Sequence, residues 1–496
     1  MPHDHLRHLP AVSALLEHPS VAPHLLGRRR EWVTRLAQRV VSELRDALLR
    51  GDPAPAPDKP GMLALAVQRL LERRERVLRP TLTRVINGTG VVVHTNLGRS
   101  NWPDLAVRWA EQAARHPSDL EYVLASGTRG HRGRKVEEKA ALLTGAEDAL
   151  IVNNNAAAVW LAARHCTGLG APPDGRGRLI LSRGEIVAIG GSFRMHELLA
   201  ETHCELVEVG TTNRTSLQDY VEAMTPGATV MKVHRSNFSL EGFTEEVALG
   251  ELARPCREHG CRLVYDAGSG ALFPFEALGL PAEEGSLAAD VAAGADLVTC
   301  SGDKLLGGCQ AGLVLGRASL VNGLRQHPMR RAFRVDKTTL AALDAVLTIY
   351  LSAEALPGIP TLELLAQAGP LLAARADRLA GLLRDHAPAG WNCRVRESSA
   401  SVGGGSFSTV QVPSRELLWA GPEHELERIH AALRRQDPAV VGRKNQEGLA
   451  VDLRTIADDE ITMVAEAFRQ AWNGLLERRR GDEGSTTEDG RDESAT

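Results

Sequence analysis

The chain has 496 residues, more than one hydrophobic core usually supports, so we expect two or three domains. Hydrophobic residues make up 43% and charged residues 24%, which excludes a disordered or collagen-like protein. The net charge of −4 gives no overall attraction to polyanions, so nucleic-acid binding would need a local basic patch. Seven cysteines without a paired framework favour a reducing compartment. The N-terminus MPHDHLRHLP lacks an apolar signal core, and we expect a cytoplasmic protein without a membrane segment.

The first segment, residues 1–80, is predicted to be a helical domain. Apolar positions recur every three or four residues through PSVAPHLLGRRREWVTRLAQRVVSELRDALLRG and again through MLALAVQRLLERRERVL, with DPAPAPDKPG between them. The segment holds 14 Lys and Arg against nine Asp and Glu, a net charge of +5, so the rest of the chain carries −9. A solvated helix face is one explanation of these arginines, and a docking domain for a polyanion is the other.

Short apolar runs alternate with helix-length segments over residues 81–343. The runs are GRLILS, CELVEV, TVMKVH, CRLVYDAG, ADLVTCSG and AGLVLG. This alternation predicts an α/β domain with a mostly parallel sheet covered on both faces, and ligand sites in such sheets lie at the carboxyl ends of strands. We further predict a small C-terminal α+β domain over residues 344–476 and a disordered polar tail over residues 477–496.

Two residues at predicted strand ends suit a covalent aldehyde cofactor. Asp266 follows the run CRLVY, and Lys304 lies in SGDKLLGGCQAG after the run ADLVTC. A lysine can bind pyridoxal 5′-phosphate as a Schiff base, while a carboxylate keeps the pyridine nitrogen protonated. Singly, the aspartate can be a helix cap and the lysine a surface residue. The pair, with Ser301 before the lysine and bare glycines after it that leave room for a bulky group, favours the cofactor.

A phosphate-binding segment is expected upstream, in AEDALIVNNNAAAVWLAARHC. A short strand is followed there by asparagines and an alanine-rich helix, which places Asn154, Asn155 and Ala156 at the helix start. Asparagine is a favoured N-cap, and unpaired N–H groups at a helix N-terminus bind anions. A plain capped helix is the alternative interpretation. Cys256 and Cys261 have no further ligands nearby in sequence, so no metal site is predicted.

A set of ordered sequence blocks resembles the bacterial selenocysteine synthase family, the L-seryl-tRNA(Sec) selenium transferases. The blocks are RVINGTGVVVHTNLGRS, VNNNAAAV, SRGEIVAIGGSFRM, LVEVGTTNRT, KVHRSNFSLEGFTEEV, SGDKLLGGCQAG and MRRAFRVDKTTLAAL. They run in order from Arg84 to Leu343, and DLRTI at residues 452–456 extends the resemblance into the small domain. Blocks of this length are far more specific than a lone lysine motif.

The resemblance implies a fold-type-I pyridoxal-phosphate enzyme, with Lys304 as the Schiff-base lysine and Asp266 as the pyridine partner. Its implied substrate is seryl-tRNA(Sec), its implied selenium donor is selenophosphate, and its implied product is selenocysteinyl-tRNA(Sec), formed through an enzyme-bound aminoacrylyl-tRNA. Lys304 would be the acid and base, with Asp303 assisting departure of the hydroxyl group. The family also implies a homo-oligomer, a ring of dimers with active sites at dimer interfaces.

Three arginines, Arg99, Arg331 and Arg334, match the family's arginines for the donor oxyanion, a task that suits bidentate guanidinium groups. Surface arginines are the alternative for any one of them. Arg454 in DLRTI stays open as a clamp for a substrate carboxylate. Cys309, where the family more often has proline, is a candidate for oxidation. The sequence assigns no role to two further residues near the expected site, His234 and Arg183.

The main alternative function is a fold-type-I lyase acting on a small free amino acid or amino sugar acid. Its lysine and aspartate would look the same. The basic segment 1–80 separates the two hypotheses, because it is superfluous for a small substrate and useful for holding a tRNA. A tRNA-binding protein with a decayed cofactor site is disfavoured, since Lys304, Asp266 and the asparagines are all present.

Overall fold

The computed structural model describes residues 5–25, 30–50, 52, 58–172, 175–189, 193–235, 238, 240–280, 285–352, 358–404 and 410–486. The chain divides into two compact units, Met1–Arg84 and Val85–Thr496. Within the described ranges, no helix has both the length and the apolar character that crossing a bilayer requires.

The first unit is helical, as the sequence predicts. Its helices are α1 (Val12–Glu17), α2 (Arg30–Leu49) and α3 (Lys59–Leu78). Apolar side chains at three- and four-residue spacing on α2 are buried in one core with apolar side chains of α3. The side chain of Asp58 caps α3 by accepting a hydrogen bond from the Gly61 amide at 2.8 Å. The opposite faces expose a set of arginines: Arg35, Arg39, Arg45, Arg69, Arg76 and Arg79.

The second unit begins with the larger of its two layered regions. In chain order its elements are β1 (Val85–Asn87), α4 (Asp104–Arg115), β2 (Tyr122–Val123), β3 (Thr128–Arg129), α5 (Arg134–Thr144), β4 (Asp148–Val152), α6 (Asn155–Leu169), β5 (Arg178–Ser182), β6 (Ala188–Ile189), β7 (Phe193–Arg194), α7 (Met195–Ala200), β8 (Glu205–Val209), α8 (Leu217–Ala223), β9 (Thr229–Val233), α9 (Leu249–Glu258), β10 (Arg262–Gly268), α10 (Leu287–Ala292), β11 (Leu297–Ser301), β12 (Gly312–Gly316), α11 (Ala318–Gln326) and α12 (Lys337–Tyr350).

A seven-stranded sheet forms the centre of this region, in the order β4-β12-β11-β10-β9-β5-β8. Strands β11, β10, β9, β5 and β8 pair in parallel, whereas β12 is antiparallel to both β11 and β4. Successive residues face opposite cores: Ile180 lies in the core with α4, α5 and α12, while Leu179 and Leu181 lie in the core with α6, α7 and α11. All six predicted apolar runs are strands of this sheet, and the predicted α/β fold class is confirmed.

The C-terminal region is a smaller α+β layer. Its elements are α13 (Pro360–Ala366), α14 (Gly369–Leu383), β13 (Asn392–Ser401), β14 (Gln411–Ala420), α15 (Glu423–Leu433), β15 (Ala439–Val441), β16 (Arg443–Asn445), β17 (Gly448–Asp452) and α16 (Ile461–Thr486). An antiparallel sheet in the order β13-β14-β17-β16 packs on α14, α15 and α16 around buried tryptophans. Strand β1 pairs with β15 in parallel, so the first segment of the predicted large domain joins this layer instead.

The end of the chain differs from its prediction. Helix α16 continues to Thr486, so the expected disorder is wrong for residues 477–486, while residues 487–496 lie outside the described residues. A polar composition predicted disorder, but Arg479 donates to both carboxylate oxygens of Glu425 on α15, at 2.7 and 2.6 Å. Since Glu425 is buried, this bidentate pair fixes the helix beyond its last apolar turn.

Candidate active site

The parallel pairing of β10 with β11 brings Asp266 and Lys304 to one edge of the sheet. Asp266 lies near the carboxyl end of β10, opposite Thr299, and Lys304 follows β11 by three residues. Both side chains are buried, as is Ser301 at the end of β11. The structure therefore brings together the aspartate and the lysine that the sequence selected.

Three donors hold one oxygen of Asp266. Its Oδ1 atom accepts from Asn155 Nδ2 at 2.8 Å, Thr299 Oγ1 at 3.1 Å and the Gly268 amide at 3.2 Å. Burial is the largest influence and raises the pKa of Asp266, while the bond from Asn155 and the charge of Lys304 oppose that rise. A buried carboxylate in this state gains from a further cationic partner.

Burial acts in the other direction on Lys304. It lowers the pKa of the amine below its ordinary value, although the charge of Asp266 works against this shift. A larger fraction of the amine is then neutral near pH 7, as attack on an aldehyde requires.

The glycines around Lys304 serve close packing. A Cβ atom on Gly302 would lie 2.7 Å from the Cys309 carbonyl oxygen, and one on Gly312 would lie 2.1 Å from the Asn154 carbonyl oxygen. Gly307 has a φ of 71°, a left-handed conformation that glycine adopts without strain. The interpretation that these glycines leave a bare, roomy loop is wrong, because the backbone of the loop packs against its neighbours.

The asparagine segment is tied directly to this centre. Asn154 Oδ1 accepts from the Ala157 amide at 2.8 Å and so caps α6, while Asn155 donates to Asp266. With the Ala157 amide used by the cap, the amides of Asn155 and Ala156 are the groups at the helix N-terminus that can receive an anion. The bond from Asn155 to Asp266 was missed by sequence reasoning.

One of the three predicted arginines contacts the lysine loop, which is the segment of residues 302–311 that carries Lys304. Arg99, which has a φ of 65°, places Nη1 2.6 Å from Asp303 Oδ2, and the next residue, Ser100, donates through its hydroxyl to the Lys304 carbonyl oxygen. Asp303 is thus paired with a guanidinium group next to Lys304.

The other two arginines lie on the segment before α12. The Phe333 carbonyl oxygen accepts from the Asn153 amide at 3.1 Å, which fixes this segment beside the asparagines. Arg334 pairs with Glu121, and Arg331 is exposed.

His234 is a neighbour of the centre that sequence reasoning did not assign. It follows β9, its backbone amide donates to the Asp266 carbonyl oxygen at 2.9 Å, and its ring is near Lys304. Burial, followed by the charge of Lys232, lowers the pKa of His234 to about 4, so the ring is neutral at pH 7. Its position at the carboxyl end of the strand beside β10 was the available signal.

Arg454 is not available as a carboxylate clamp. Its buried guanidinium donates to four backbone carbonyl oxygens, those of Leu364, Leu365, Gln367 and Pro413, at 2.6, 3.1, 3.2 and 2.5 Å. Three of these carbonyls lie at the end of α13, where carbonyl groups lack partners within the helix. Arg454 therefore caps a helix and joins it to β14.

The two remaining open residues have structural contacts. Cys309 is buried, and burial raises the pKa of its thiol to about 12, which disfavours the thiolate that oxidation requires. Arg183 pairs with Glu208 at 3.2 Å and donates to the Gly210 carbonyl oxygen at 3.1 Å. Among the described residues, no cluster of three or more histidine, cysteine, aspartate or glutamate side chains is suited to hold a metal ion.

Comparisons with known proteins identify relatives of this chain. The chain shares 45% identity over 401 residues with an L-seryl-tRNA(Sec) selenium transferase of Solidesulfovibrio magneticus, covering 79% of this chain and 83% of the relative. The corresponding protein of Moorella thermoacetica is 40% identical over 473 residues, covering 95% and 98%. Among solved structures, a D-glucosaminate-6-phosphate ammonia-lyase superposes with a TM-score of 0.57 at 20% identity, covering 79% of this chain and 96% of that chain, which shows a shared fold.

The fold is the fold-type-I architecture that the sequence predicted. The family model described as L-seryl-tRNA selenium transferase matches residues 85–457, well over half of the chain. The chain therefore belongs to the L-seryl-tRNA selenium transferase family.

Proposed function

We propose that the protein converts seryl-tRNA(Sec) to selenocysteinyl-tRNA(Sec), with selenophosphate as the selenium donor and pyridoxal 5′-phosphate as the cofactor. The observation that carries this proposal is the pairing of buried Lys304 with buried Asp266 at the carboxyl edge of the sheet, in a chain of this family. The relatives from two bacteria bear the name of the same activity.

The residues present fit the cofactor. Asp266, oriented by three donors to Oδ1, would receive the pyridine nitrogen, and the α6 N-terminus, with Asn154, Asn155 and Ala156, would receive the phosphate. Ser301 stays a proposed cofactor contact. When bound, the cofactor supplies an electron sink that acidifies the α-proton of serine.

Lys304 carries the proton transfers in this proposal. With cofactor and substrate bound, the Lys304 amine would accept the α-proton and would return a proton to the departing hydroxyl group. Its lowered pKa suits both roles near neutral pH. Asp303, which pairs with Arg99 at 2.6 Å, would orient that arginine and stays the candidate to assist departure of the hydroxyl group.

Arginines provide the site for the anionic donor. Arg99 lies beside the lysine loop, and Arg331 and Arg334 lie on the segment bonded to Asn153. Guanidinium groups suit an oxyanion because they offer paired donors in one plane. We retain the expectation of a cytoplasmic homo-oligomer, a ring of dimers, that binds tRNA through the basic N-terminal unit.

The position of Arg454 weighs against the small-substrate alternative. A free amino acid presents a carboxylate that needs a cationic clamp, whereas the carboxyl group of seryl-tRNA is an ester. Arg454 was the candidate clamp, and its guanidinium is committed to backbone carbonyls.

The test is incubation of the purified protein with seryl-tRNA(Sec), with and without selenophosphate, followed by identification of the esterified amino acid. We expect selenocysteine on the tRNA when both substrates are present. Free L-serine in place of the tRNA is the control and should give no selenocysteine. Turnover of free serine, with seryl-tRNA(Sec) unchanged, would instead support the lyase.

A further inference from the structure

The carboxylate of Glu121 lies among three arginines next to β2 and β3. Its Oε1 atom accepts from Arg132 Nε at 2.9 Å and pairs with Arg334, and its Oε2 atom lies 3.3 Å from Arg129 Nη2. These bonds hold the pKa of Glu121 below its usual value, with the bond from Arg132 as the largest cause. Glu121 is therefore an anion already bound by an arginine that we propose for the selenium donor.

The backbone fixes this arrangement from both sides. The Glu121 carbonyl oxygen accepts from the Gly130 amide at 2.8 Å, which closes the hairpin, and Arg132 Nη1 donates to the Val335 carbonyl oxygen at 2.7 Å. The side chains of Glu121 and Arg334 are each 26% exposed, so solvent and small anions can reach the pair. Arg330 adds further positive charge nearby: burial is the largest cause that lowers its pKa, the charge of Glu137 opposes this shift, and the charges of Arg334 and Arg132 add to it.

We propose that Glu121 is an internal counter-anion, which the incoming selenium donor displaces from Arg334 and Arg132, and that it thereby sets the affinity and selectivity of the donor site. This inference rests on the proposed function, in which Arg334 belongs to that site. Glu121 acts through the arginines and is a positioning residue.

Competition between two anions gives the selectivity. A carboxylate held at short distance repels a second anion and occupies the guanidinium donors that this anion needs. A singly charged ion such as chloride gains too little binding free energy from the arginines to displace Glu121. A phosphate-class dianion has several oxygens and can bind both arginines. Glu121 therefore excludes abundant monoanions from a site meant for the donor.

The experiment measures binding of inorganic phosphate to the full-length protein loaded with pyridoxal phosphate, so that the cofactor phosphate site is filled. By titration calorimetry at low ionic strength, we expect Glu121→Gln to bind phosphate about five- to tenfold more tightly than wild type, because a repelling charge is removed. In turnover, its KM for selenophosphate should fall by a similar factor with kcat unchanged. Loss of a glutamate with a merely structural role would not lower KM while leaving kcat unchanged.

The matched control is Glu111→Gln. It removes the same charge from a glutamate that pairs with Arg115 on the exposed surface of α4, and phosphate affinity should stay at the wild-type value. Glu121→Asp keeps the negative charge on a shorter side chain, so we expect a smaller increase in phosphate affinity than in Glu121→Gln. The Asp variant decides the question if the Gln variant does not fold.

The outcomes separate this inference from the function on which it rests. Unchanged or weaker phosphate binding in Glu121→Gln, or weaker binding in Glu121→Asp, overturns the role of Glu121. Arg334→Gln tests the donor site itself and should weaken phosphate binding. If Arg334→Gln binds phosphate like wild type, the assignment of Arg334 fails. If Arg334→Gln loses affinity while Glu121→Gln gains none, only the counter-anion proposal fails.

Discussion

Burial pushes the two central ionisable groups toward their neutral forms. It raises the pKa of Asp266 and lowers that of Lys304, so each group depends on the other for its charge. A cationic ring nitrogen beside Asp266 would keep the carboxylate ionised and leave Lys304 free to become a neutral amine. Burial thus disfavours the charged forms of both groups when no ligand is bound, and it favours binding of the proposed cofactor.

Replacing Lys304 by Ala tests the covalent role of this residue. We expect loss of the covalently bound cofactor and a fall in turnover by several orders of magnitude, because no other group in this position can form the bond or carry the proton. Absorbance spectra and tRNA product analysis measure the two effects, and circular dichroism should show an unchanged fold. Lys135→Ala, on an exposed lysine, is the control. Full activity in Lys304→Ala would refute the assignment.

The lowered pKa of His234 predicts how stability changes with pH. The unfolded chain binds a proton at this residue below its ordinary pKa of about 6.5, whereas the folded chain does so only below about 4. Between these values the unfolded state holds more protons, so stability falls as the pH falls. We expect His234 to contribute a loss of about 2 kcal/mol in the free energy of unfolding between pH 7.5 and pH 5.

Urea unfolding of wild type and His234→Gln at both pH values measures this contribution. The glutamine variant, which cannot take up the proton, should lose less stability on acidification than wild type by about that amount. Equal losses in the two proteins would show that the His234 ring titrates normally in the folded state.

Sequence reasoning located Asp266 and Lys304 because each follows an apolar run, and such ends meet at one edge of a parallel sheet. The contacts between residues from distant segments could not be predicted in the same way. The bond from Asn155 to Asp266 joins residues 111 positions apart and depends on how α6 lies against later strands, and the pair of Arg99 with Asp303 joins residues 204 positions apart. Hydrophobic periodicity predicts helices and strands but not which of them contact one another in the folded chain.

At the scale of elements, the direction of β12 and the partner of β1 were not predicted. A short apolar run has the same composition in a parallel and in an antiparallel strand, so it does not indicate the direction of the strand. The connection over residues 302–311 was nevertheless a usable signal, because it is too short for a helical crossover and parallel strands need one. The pairing of β1 with β15 had no local signal, since the two segments lie at opposite ends of the second unit.

Replacing Arg454 tests the contact that joins helix α13 to strand β14. Replacing it by Met removes a charged donor from four backbone carbonyl groups in buried or partly buried hydrogen bonds, and we expect the free energy of unfolding to fall by about 3 kcal/mol. Cofactor binding and the KM for seryl-tRNA(Sec) should be retained below the unfolding transition. Arg428→Met, on an exposed arginine of α15, should leave stability within about 0.5 kcal/mol. A stable Arg454→Met protein with a raised KM would restore the clamp hypothesis.

At the scale of the whole molecule, the basic N-terminal unit is expected to hold the tRNA. Deleting residues 1–84 removes a compact unit with its own core and leaves the sheet intact, so the shortened protein should fold and bind the cofactor. Its affinity for seryl-tRNA(Sec) should fall, and each lost phosphate contact should flatten the slope of log affinity against log salt by about 0.7 to 0.9. Binding at several salt concentrations measures both effects. The same affinity and slope in both proteins would reject the docking role.

The central claim, a cofactor held on Lys304 that serves a tRNA ester, is tested most directly by borohydride reduction followed by peptide mass spectrometry. Reduction of the purified protein should fix a pyridoxyl group on Lys304. Prior incubation with seryl-tRNA(Sec), without selenophosphate, should remove that label from Lys304, because the seryl amine takes the place of the lysine. Prior incubation with free L-serine should leave the label in place. A label on another lysine such as Lys232, or its loss with free serine and not with seryl-tRNA(Sec), would contradict the account.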